Sequence, residues 1–239
     1  MKIFITQPTY LPWLGIFKAI DYCDLFVFYD DVQYERKSWQ NRNRIINRST
    51  GAPLDLIVPV KKVPQKTLIY EIKIANPLFY EDQLKKIRVN YPQNDFREEV
   101  MSILANVYEK EYHYLSQLTT ELTKVLAKYI GVEANFSYSK DSPKIVGDKR
   151  TRPLLFAKSL NTTEYLTQAG TREYTNITAF AASGITVTFL DFKHPEYRQA
   201  GHTFTPYLSI VDALINLGPS ETKKMIQNIN LLPPRPMAS

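Results

Sequence analysis

Residues 2–31, KIFITQPTYLPWLGIFKAIDYCDLFVFYDD, decide the fold. Lys2–Thr6 is rich in apolar, β-branched and aromatic side chains and predicts a strand. Pro8 and Pro12 in the following QPTYLPW deny that segment a continuing ladder. From about Trp13, apolar residues at Leu14, Phe17, Ala19, Ile20 and Tyr22 predict a helix, and Leu25–Tyr29, flanked by Asp24 and Asp30, predicts a second buried strand. A strand, loop, helix and strand in 28 residues is most economically a right-handed βαβ unit with parallel strands. The Gln7–Trp13 loop and the loop after Tyr29 then open on one edge, and in open α/β sheets ligands bind beyond the carboxyl ends of the strands.

The chain beyond that second strand, Asp30–Ile45 (DDVQYERKSWQNRNRI), is polar in fourteen of sixteen positions. A solvated loop favours Gly, Ser, Pro, Lys and Glu. This one holds Gln33, Tyr34, Trp39, Gln40, Asn41, Arg42 and Asn43, which suit fixed polar recognition with aromatic backing, so it reads as a ligand wall. Adjacent Asp30 and Asp31 point to opposite faces of an extended chain. One therefore serves the site while the other caps or pairs with Arg36 or Arg42. A carboxylate at a strand end suits a general base or a Mg²⁺ ligand.

Outward from this unit, Asn47–Pro53 is a turn and LDLIVPV a strand, together a hairpin. Leu68–Ala75 alternates like a half-buried strand. Leu78–Val107 is helical with a break at Asn90–Pro92, and the Tyr114–Ile130 stripe predicts a core helix stopped by Gly131. The α/β rhythm then returns, with helices over Thr151–Leu160 and Ile177–Ala182, strands over Thr163–Thr167 and Ile185–Phe189, and a loop over Gly170–Tyr174. HPEYRQAGHTFTPYLS forms a second polar and aromatic wall. Ser209 opens a last helix, with Asp212 three residues on as a variant capping box and Gly218–Pro219 as its close. The expectation is one α/β domain over residues 1–230 with a mainly parallel sheet, a helical insertion at about 78–130, and a flexible Pro-rich tail at 231–239.

Composition narrows the chemistry. The net charge is +6, but the basic residues are scattered and only Lys61–Lys62, Lys85–Lys86, Lys149–Arg152 and Lys223–Lys224 cluster, so composition gives no reason to expect a nucleic-acid partner. A mild positive excess suits an anionic small molecule. One cysteine, Cys23, excludes a disulfide framework and points to a reducing compartment. No segment has the length of a membrane span or the layout of a signal peptide, which makes cytoplasm the expected location and membrane insertion unexpected. His113, His194 and His202 lack metal-ligand spacing, so no metal site is expected. His194, just beyond a strand end, is a catalytic candidate beside Asp30 and Asp31. No Walker A, GxGxxG or GxSxG motif occurs.

Several motifs in order, QPTYLPWLG, DDVQY with W-Q-N-R-N, HPEYRQ, and F-T-P-Y-LSIVDALINLGP, resemble the WbqC-like family over nearly the whole chain. The resemblance implies a bacterial protein of O-antigen, lipopolysaccharide or other surface-polysaccharide biosynthesis, and a glycine transferase acting on an amino sugar. Its motif positions include Gln7, Tyr10, Trp13, Gln33, Tyr34, Trp39, Asn41, Arg42, Asn43, Tyr197, Gln199 and Asp212. A fold-level likeness links the N-terminus to nucleotidylyl transferases and carboxylate-adenylating ligases of the H-x-G-H type, with Trp13 and Ile16 where those have histidines.

The expected function is an amide-forming transferase that places an aminoacyl group, such as glycyl, on a nucleotide-linked amino sugar. Asp30, Asp31 or His194 would act as base. Gln33, Asn41, Arg42 and Asn43 would hold phosphates or the oxyanion, and Tyr34 or Trp39 would stack on the base or sugar. The acyl donor is left open between an amino acid with ATP and Mg²⁺, an acyl-carrier thioester and an aminoacyl-tRNA. The rival readings are a non-catalytic nucleotide-sugar or carbohydrate binding protein and a degenerate nucleotidylyl transferase.

Overall fold

A computed structural model describes residues 1–148, 150–200, 203–228 and 231–232; His202 and the expected tail from residue 233 onward lie outside the described residues. The fold is α/β. The strands β1 (Lys2–Thr6) and β2 (Leu25–Phe28) are joined through the helix α1 (Leu14–Tyr22) and pair in parallel, with Ile3 opposite Leu25 and Thr6 opposite Phe28. The hairpin β3 (Arg42–Ile46) and β4 (Pro53–Ile57) follows, then the helices α2 (Phe79–Asn90), α3 (Asp95–Tyr108) and α4 (Leu115–Ile130). The chain returns through β5 (Asn135–Tyr138), α5 (Arg152–Ser159), β6 (Glu164–Gln168), α6 (Ile177–Ala182), β7 (Thr186–Leu190), α7 (Ile210–Gln227) and β8 (Leu231–Leu232).

The main sheet runs β5-β2-β1-β6-β7-β8, parallel except for β8, which lies antiparallel to β7. Its five parallel strands therefore have the order third, second, first, fourth, fifth of a doubly wound sheet, and the winding reverses between β1 and β6. Alternation along the strands builds a core on each face. Phe4, Phe26 and Phe28 pack into the larger core with α1, α3, α4 and α7. Ile3, Ile5 and Val27 face the smaller one, formed with Phe156 of α5 and Phe180 of α6.

Several expectations are corrected. The polar wall does not stay irregular to Ile45: Arg42–Ile46 is β3, because Asn43 and Ile45 alternate inward with Arg42 and Arg44 partly out. Leu68–Ala75 is not a strand. It holds a 3-10 turn at Ile69–Glu71 and isolated bridges from Lys73 to Tyr114 and from Ile74 to Val60, so its alternating apolar residues fill the core without a continuous ladder. Gly218 does not close the last helix but kinks it. With φ 78° it turns the chain, and a Cβ there would lie 2.5 Å from the Phe96 ring, after which Pro219 restarts the helix. Ser209 does cap α7, accepting from the Val211 amide, whereas the Asp212 carboxylate turns into the core instead of completing a capping box. Leu231–Leu232, the first residues of the expected tail, extend the sheet as β8.

Candidate functional site

A cleft of about 1340 Å³ opens at the carboxyl ends of β1, β2 and β6, where the winding of the sheet reverses. Thr6 and Gln7 follow β1, Tyr29 and Asp31 follow β2, and Thr167 and Gln168 end β6. One wall is Gln33, Glu35, Trp39, Gln40, Asn43 and Arg44. The opposite wall is Gly147, Asp148, Arg150 and Arg152 from the start of α5, with Thr171, Tyr174 and Thr175 after β6; Trp13 and Tyr207 close one end. Three carboxylates (Asp31, Glu35, Asp148) meet three guanidinium groups (Arg44, Arg150, Arg152), so the cleft is electrically balanced and dominated by amides, hydroxyls and aromatic rings.

The separated sequence motifs are neighbours because they tie one another down. The Tyr10 amide donates to the Trp39 carbonyl at 3.0 Å, and Asn43 Nδ2 donates to the Tyr10 and Leu11 carbonyls at 3.0 and 2.7 Å. These bonds hold Leu11 at a positive φ of 43°. The Ser209 and Ile210 amides donate to the Arg44 and Pro12 carbonyls, both at 2.8 Å, which fixes the start of α7 against the same loop. Trp13 lies across the first turn of α1. Its indole packs on Phe192 and Tyr207 with ring centroids 4.5 and 5.5 Å away, and a Cβ on Gly15 would fall 2.4 Å from the ring. Glycine is needed there to let the indole down, and the indole then occupies the helix end where a phosphate would be received.

Gln7 has a determined orientation. The Glu35 amide donates to Gln40 Oε1 at 3.1 Å, so Gln40 presents its NH₂ to Gln7 Oε1 at 2.8 Å. Gln7 therefore turns its own NH₂ away from Gln40 as a fixed donor for an acceptor in the cleft. Across the floor, Arg152 Nη2 donates to Asp31 Oδ2 at 2.6 Å, Nη1 to the Asp31 carbonyl at 3.5 Å, and the guanidinium lies 4.9 Å from the Tyr29 ring centroid. Arg152 Nε is buried with no partner among the described residues. Burial pushes the Tyr29 hydroxyl up to about 12, so it remains a donor at neutral pH.

The structure brings Gln7, Trp13, Asp31, Gln33, Trp39 and Asn43 of the expected site residues to the cleft. Asp30 is fully buried beside it, accepting from the Lys140 amide at 3.1 Å with Ser139 Oγ 3.3 Å away, and burial raises its carboxyl pKa. The two aspartates do reach one atom, contrary to the opposite-face expectation. Ser139 Oγ accepts from both their amides, at 3.0 and 3.2 Å, and reaches Asp31 Oδ1 at 2.5 Å, because the chain leaves extended geometry after Tyr29. Asp31 pairs with Arg152, not with Arg36 or Arg42. Tyr10 is buried against Tyr108, hydroxyl to hydroxyl at 2.5 Å; Asn41 holds the Val58 carbonyl at 2.9 Å; Arg42 sits 5.6 Å from the Trp39 ring; and Tyr34 is buried behind the wall.

Tyr197 and Gln199 bond the buried Asp212 at 2.7 and 3.0 Å, away from the cleft. Sequence reasoning missed Arg152, Thr6, Thr167, Thr171 and Tyr207. The strand-end rule, applied to β6 as it was to β2, finds Thr167. Nothing in the sequence places Arg152 across from Asp31, 121 residues away. Among the described residues, no three His, Cys, Asp or Glu side chains converge as a metal site, and no helix is long and apolar enough to cross a membrane.

His194 lies behind the Trp13–Tyr207 end in an aromatic nest of Phe192, Tyr197, Phe204 and Tyr207, its Nδ1 3.0 Å from the Pro195 carbonyl. Burial lowers its pKa. Below the ordinary histidine value of about 6.5 the unfolded chain therefore binds a proton that the native state resists, and stability falls as pH drops through that value toward the depressed one. We expect the urea midpoint to fall between pH 7.5 and pH 5.5, and His194→Phe to reduce that fall. An unchanged pH dependence in the variant assigns the acid sensitivity elsewhere.

Comparison with known proteins agrees with the motif pattern. A family model described as the WbqC-like protein family matches residues 7–224. The chain is 31% identical over 220 residues, 91% of its own length and 94% of the other's, to a Mycobacterium tuberculosis protein named "Uncharacterized protein Rv1507c". No solved structure matches.

Proposed function

The chain belongs to the WbqC-like protein family, and from that membership and the cleft we propose that it is a transferase of surface-polysaccharide (O-antigen) biosynthesis, forming an amide between an aminoacyl group such as glycyl and a nucleotide-linked amino sugar. The observation that carries this reading is the lining of the cleft. Hydroxyls and amides from Thr6, Gln7, Gln33, Thr167 and Gln168 stand among Trp13, Tyr29, Trp39 and Tyr207 at the switch point of the sheet. Amides and hydroxyls match sugar hydroxyls, and aromatic faces match a sugar or a base. The volume exceeds the roughly 300–1,000 Å³ usual for small ligands, which suits a two-part ligand.

In the proposed chemistry the amine attacks the acyl carbonyl directly, and the new C–N bond forms as the bond from the acyl carbon to the donor's oxygen or sulfur breaks and the donor departs. Gln7, oriented by Gln40, donates to the oxygen that becomes anionic, and Arg152, held by Asp31, takes a phosphate. Asp31 is the expected base that lines the cleft. With Ser139 and Arg152 on its two oxygens it also orients, and the proton of the amine leaves through it or through Glu35, the other carboxylate of the same loop that lines the cleft. That engagement of Asp31 favours the second reading, a non-catalytic nucleotide-sugar binding protein. The indole over the first turn of α1 weighs against an adenylyl transferase.

The test is a thermal-shift comparison of a nucleotide-linked amino sugar, its N-acetylated counterpart and ATP. The aminated sugar should raise the midpoint most, corresponding to about 2.7 kcal/mol at a hundredfold excess over its dissociation constant. A shift with ATP alone would remove the amino-sugar reading. Binding of the amino sugar without amide formation from any donor would favour the binding protein.

A further inference from the structure

Eight of the thirty basic residues but two of the twenty-four acidic ones lie between Glu35 and Thr67. That segment holds all six units of net positive charge, and the rest of the chain is balanced at twenty-two of each sign. The fold gathers most of these residues beside the cleft, which Arg44 lines. Arg36 Nη2 donates to the Val63 carbonyl at 2.7 Å and the Tyr34 amide to the Thr67 carbonyl at 2.9 Å, which sets the Arg36–Lys37 turn beside the loop carrying Lys61, Lys62 and Lys66. Arg36, Lys37, Arg48 and the three lysines are exposed, and among the described residues only Arg44 of this segment forms an ion pair, with Asp55.

Two further features give the patch a direction and a chemistry. A second recess of about 530 Å³ between Gln33–Arg36 and Val63–Gln65 shares Gln33 and Glu35 with the cleft, so the recess beside the basic loops adjoins the site and gives a ligand lying along it a groove that leads toward the cleft. Trp39, 45% exposed, lines the cleft four residues on from Glu35, with the Arg42 and Arg44 guanidinium groups 5.6 and 5.0 Å from its ring. Basic groups along a groove with an exposed aromatic platform are the combination that binds single-stranded nucleic acid, phosphates on the cations and a base on the ring. A bilayer needs apolar side chains to insert, and the segment exposes only Trp39 and Ile57 of that kind. An acidic protein gains nothing from the stacking platform.

We propose that this groove binds the single-stranded end of an RNA and that the aminoacyl ester on the RNA's terminal ribose is the acyl donor of the cleft; the donor role rests on the amino-sugar reading above. The step balances without another reactant. The amine nitrogen forms the new C–N bond, the ester C–O bond breaks, and the ribose oxygen leaves with the proton that the amine gives up. The energy of the ester drives amide formation, so this step consumes no ATP.

Fluorescence anisotropy with the full chain and a labelled unstructured RNA of about 12 nucleotides tests the groove. The affinity should fall with salt at a log–log slope of about −0.7 per phosphate contacted. Trp39→Ala should weaken binding about tenfold. Reversing Lys61, Lys62 and Lys66 to glutamate should flatten the slope by about 2 while leaving the thermal shift with the amino sugar intact. A 3′-glycyl RNA should be discharged only when the amino sugar is present. Absent RNA binding at low salt, affinity untouched by both variants, or binding to phosphatidylserine vesicles with none to RNA would overturn the proposal. If RNA binds but no amino sugar does, the groove stands and the cleft reading falls; amino-sugar binding without RNA binding leaves the cleft reading and removes the donor.

Discussion

Replacing Asp212 with alanine destabilises the protein by about 3–5 kcal/mol, the largest effect we expect from one substitution away from the cleft. The carboxylate is fully buried on α7 and accepts from the Tyr91 hydroxyl at 2.6 Å, the Tyr197 hydroxyl at 2.7 Å and Gln199 Nε2 at 3.0 Å. Burial and the nearby carboxylate drive both tyrosine hydroxyls far above their ordinary value, so they stay protonated and donating at neutral pH. Alanine strands these donors in the core and uncouples the α2–α3 junction and the segment before α7 from the helix itself. Asp212→Asn keeps one acceptor oxygen and should lose less. Urea unfolding of both variants measures this, and a loss under about 1 kcal/mol for alanine would mean that the donors find other acceptors.

Arg152→Ala should weaken binding of the nucleotide-linked amino sugar by about 2–3 kcal/mol, roughly 30- to 150-fold, if the guanidinium holds a phosphate through a charge-assisted bond. Arg152 and Asp31 are 15% and 19% exposed in their side chains, so their pair is partly buried, and its loss should also cost about 1–2 kcal/mol of stability. Arg152→Lys keeps the charge but not the fork that meets Asp31 Oδ2 and its carbonyl, and should recover only part of the affinity. Calorimetric titration with the nucleotide alone and with the sugar conjugate separates the roles. Equal affinity for the alanine variant and the native chain would confine Arg152 to holding the Asp31 loop.

Much of this protein is legible from local pattern. The apolar runs at Lys2–Thr6 and Leu25–Phe28, the prolines between them and the stripe of α1 specify a parallel βαβ unit, and that unit implies which edge of the sheet carries the cleft. The long stripe before Gly131 is likewise a helix ending at that glycine. The four-residue β5, NFSY, is too short to stand out by pattern, and that Phe136 and Tyr138 pack on Phe26 and Phe28 of β2 is visible only once the sheet is assembled. Leu68–Ala75 misled for the related reason that alternation reports which side chains are buried, not whether a neighbouring strand is there to complete a ladder.

For the site, sequence alone determined that the residues after β1 and β2 are polar, aromatic and at the carboxyl edge of the sheet where the cleft opens, because strand direction and the hydrophobic period are local properties of the chain. Which of those residues face the cleft was decided only by the tertiary structure. Asp30 and Asp31 have the same chemistry, yet one is sealed under Ser139 and Lys140 and the other meets Arg152, 121 residues away. The charge on Glu35–Thr67 also looks scattered along the chain, and its Arg36–Lys37 and Lys61–Lys66 parts become neighbours only when the loops at Arg36 and Val63 are bonded side by side. Distances in space between residues far apart in sequence are fixed by how the layers pack, and no local pattern encodes them.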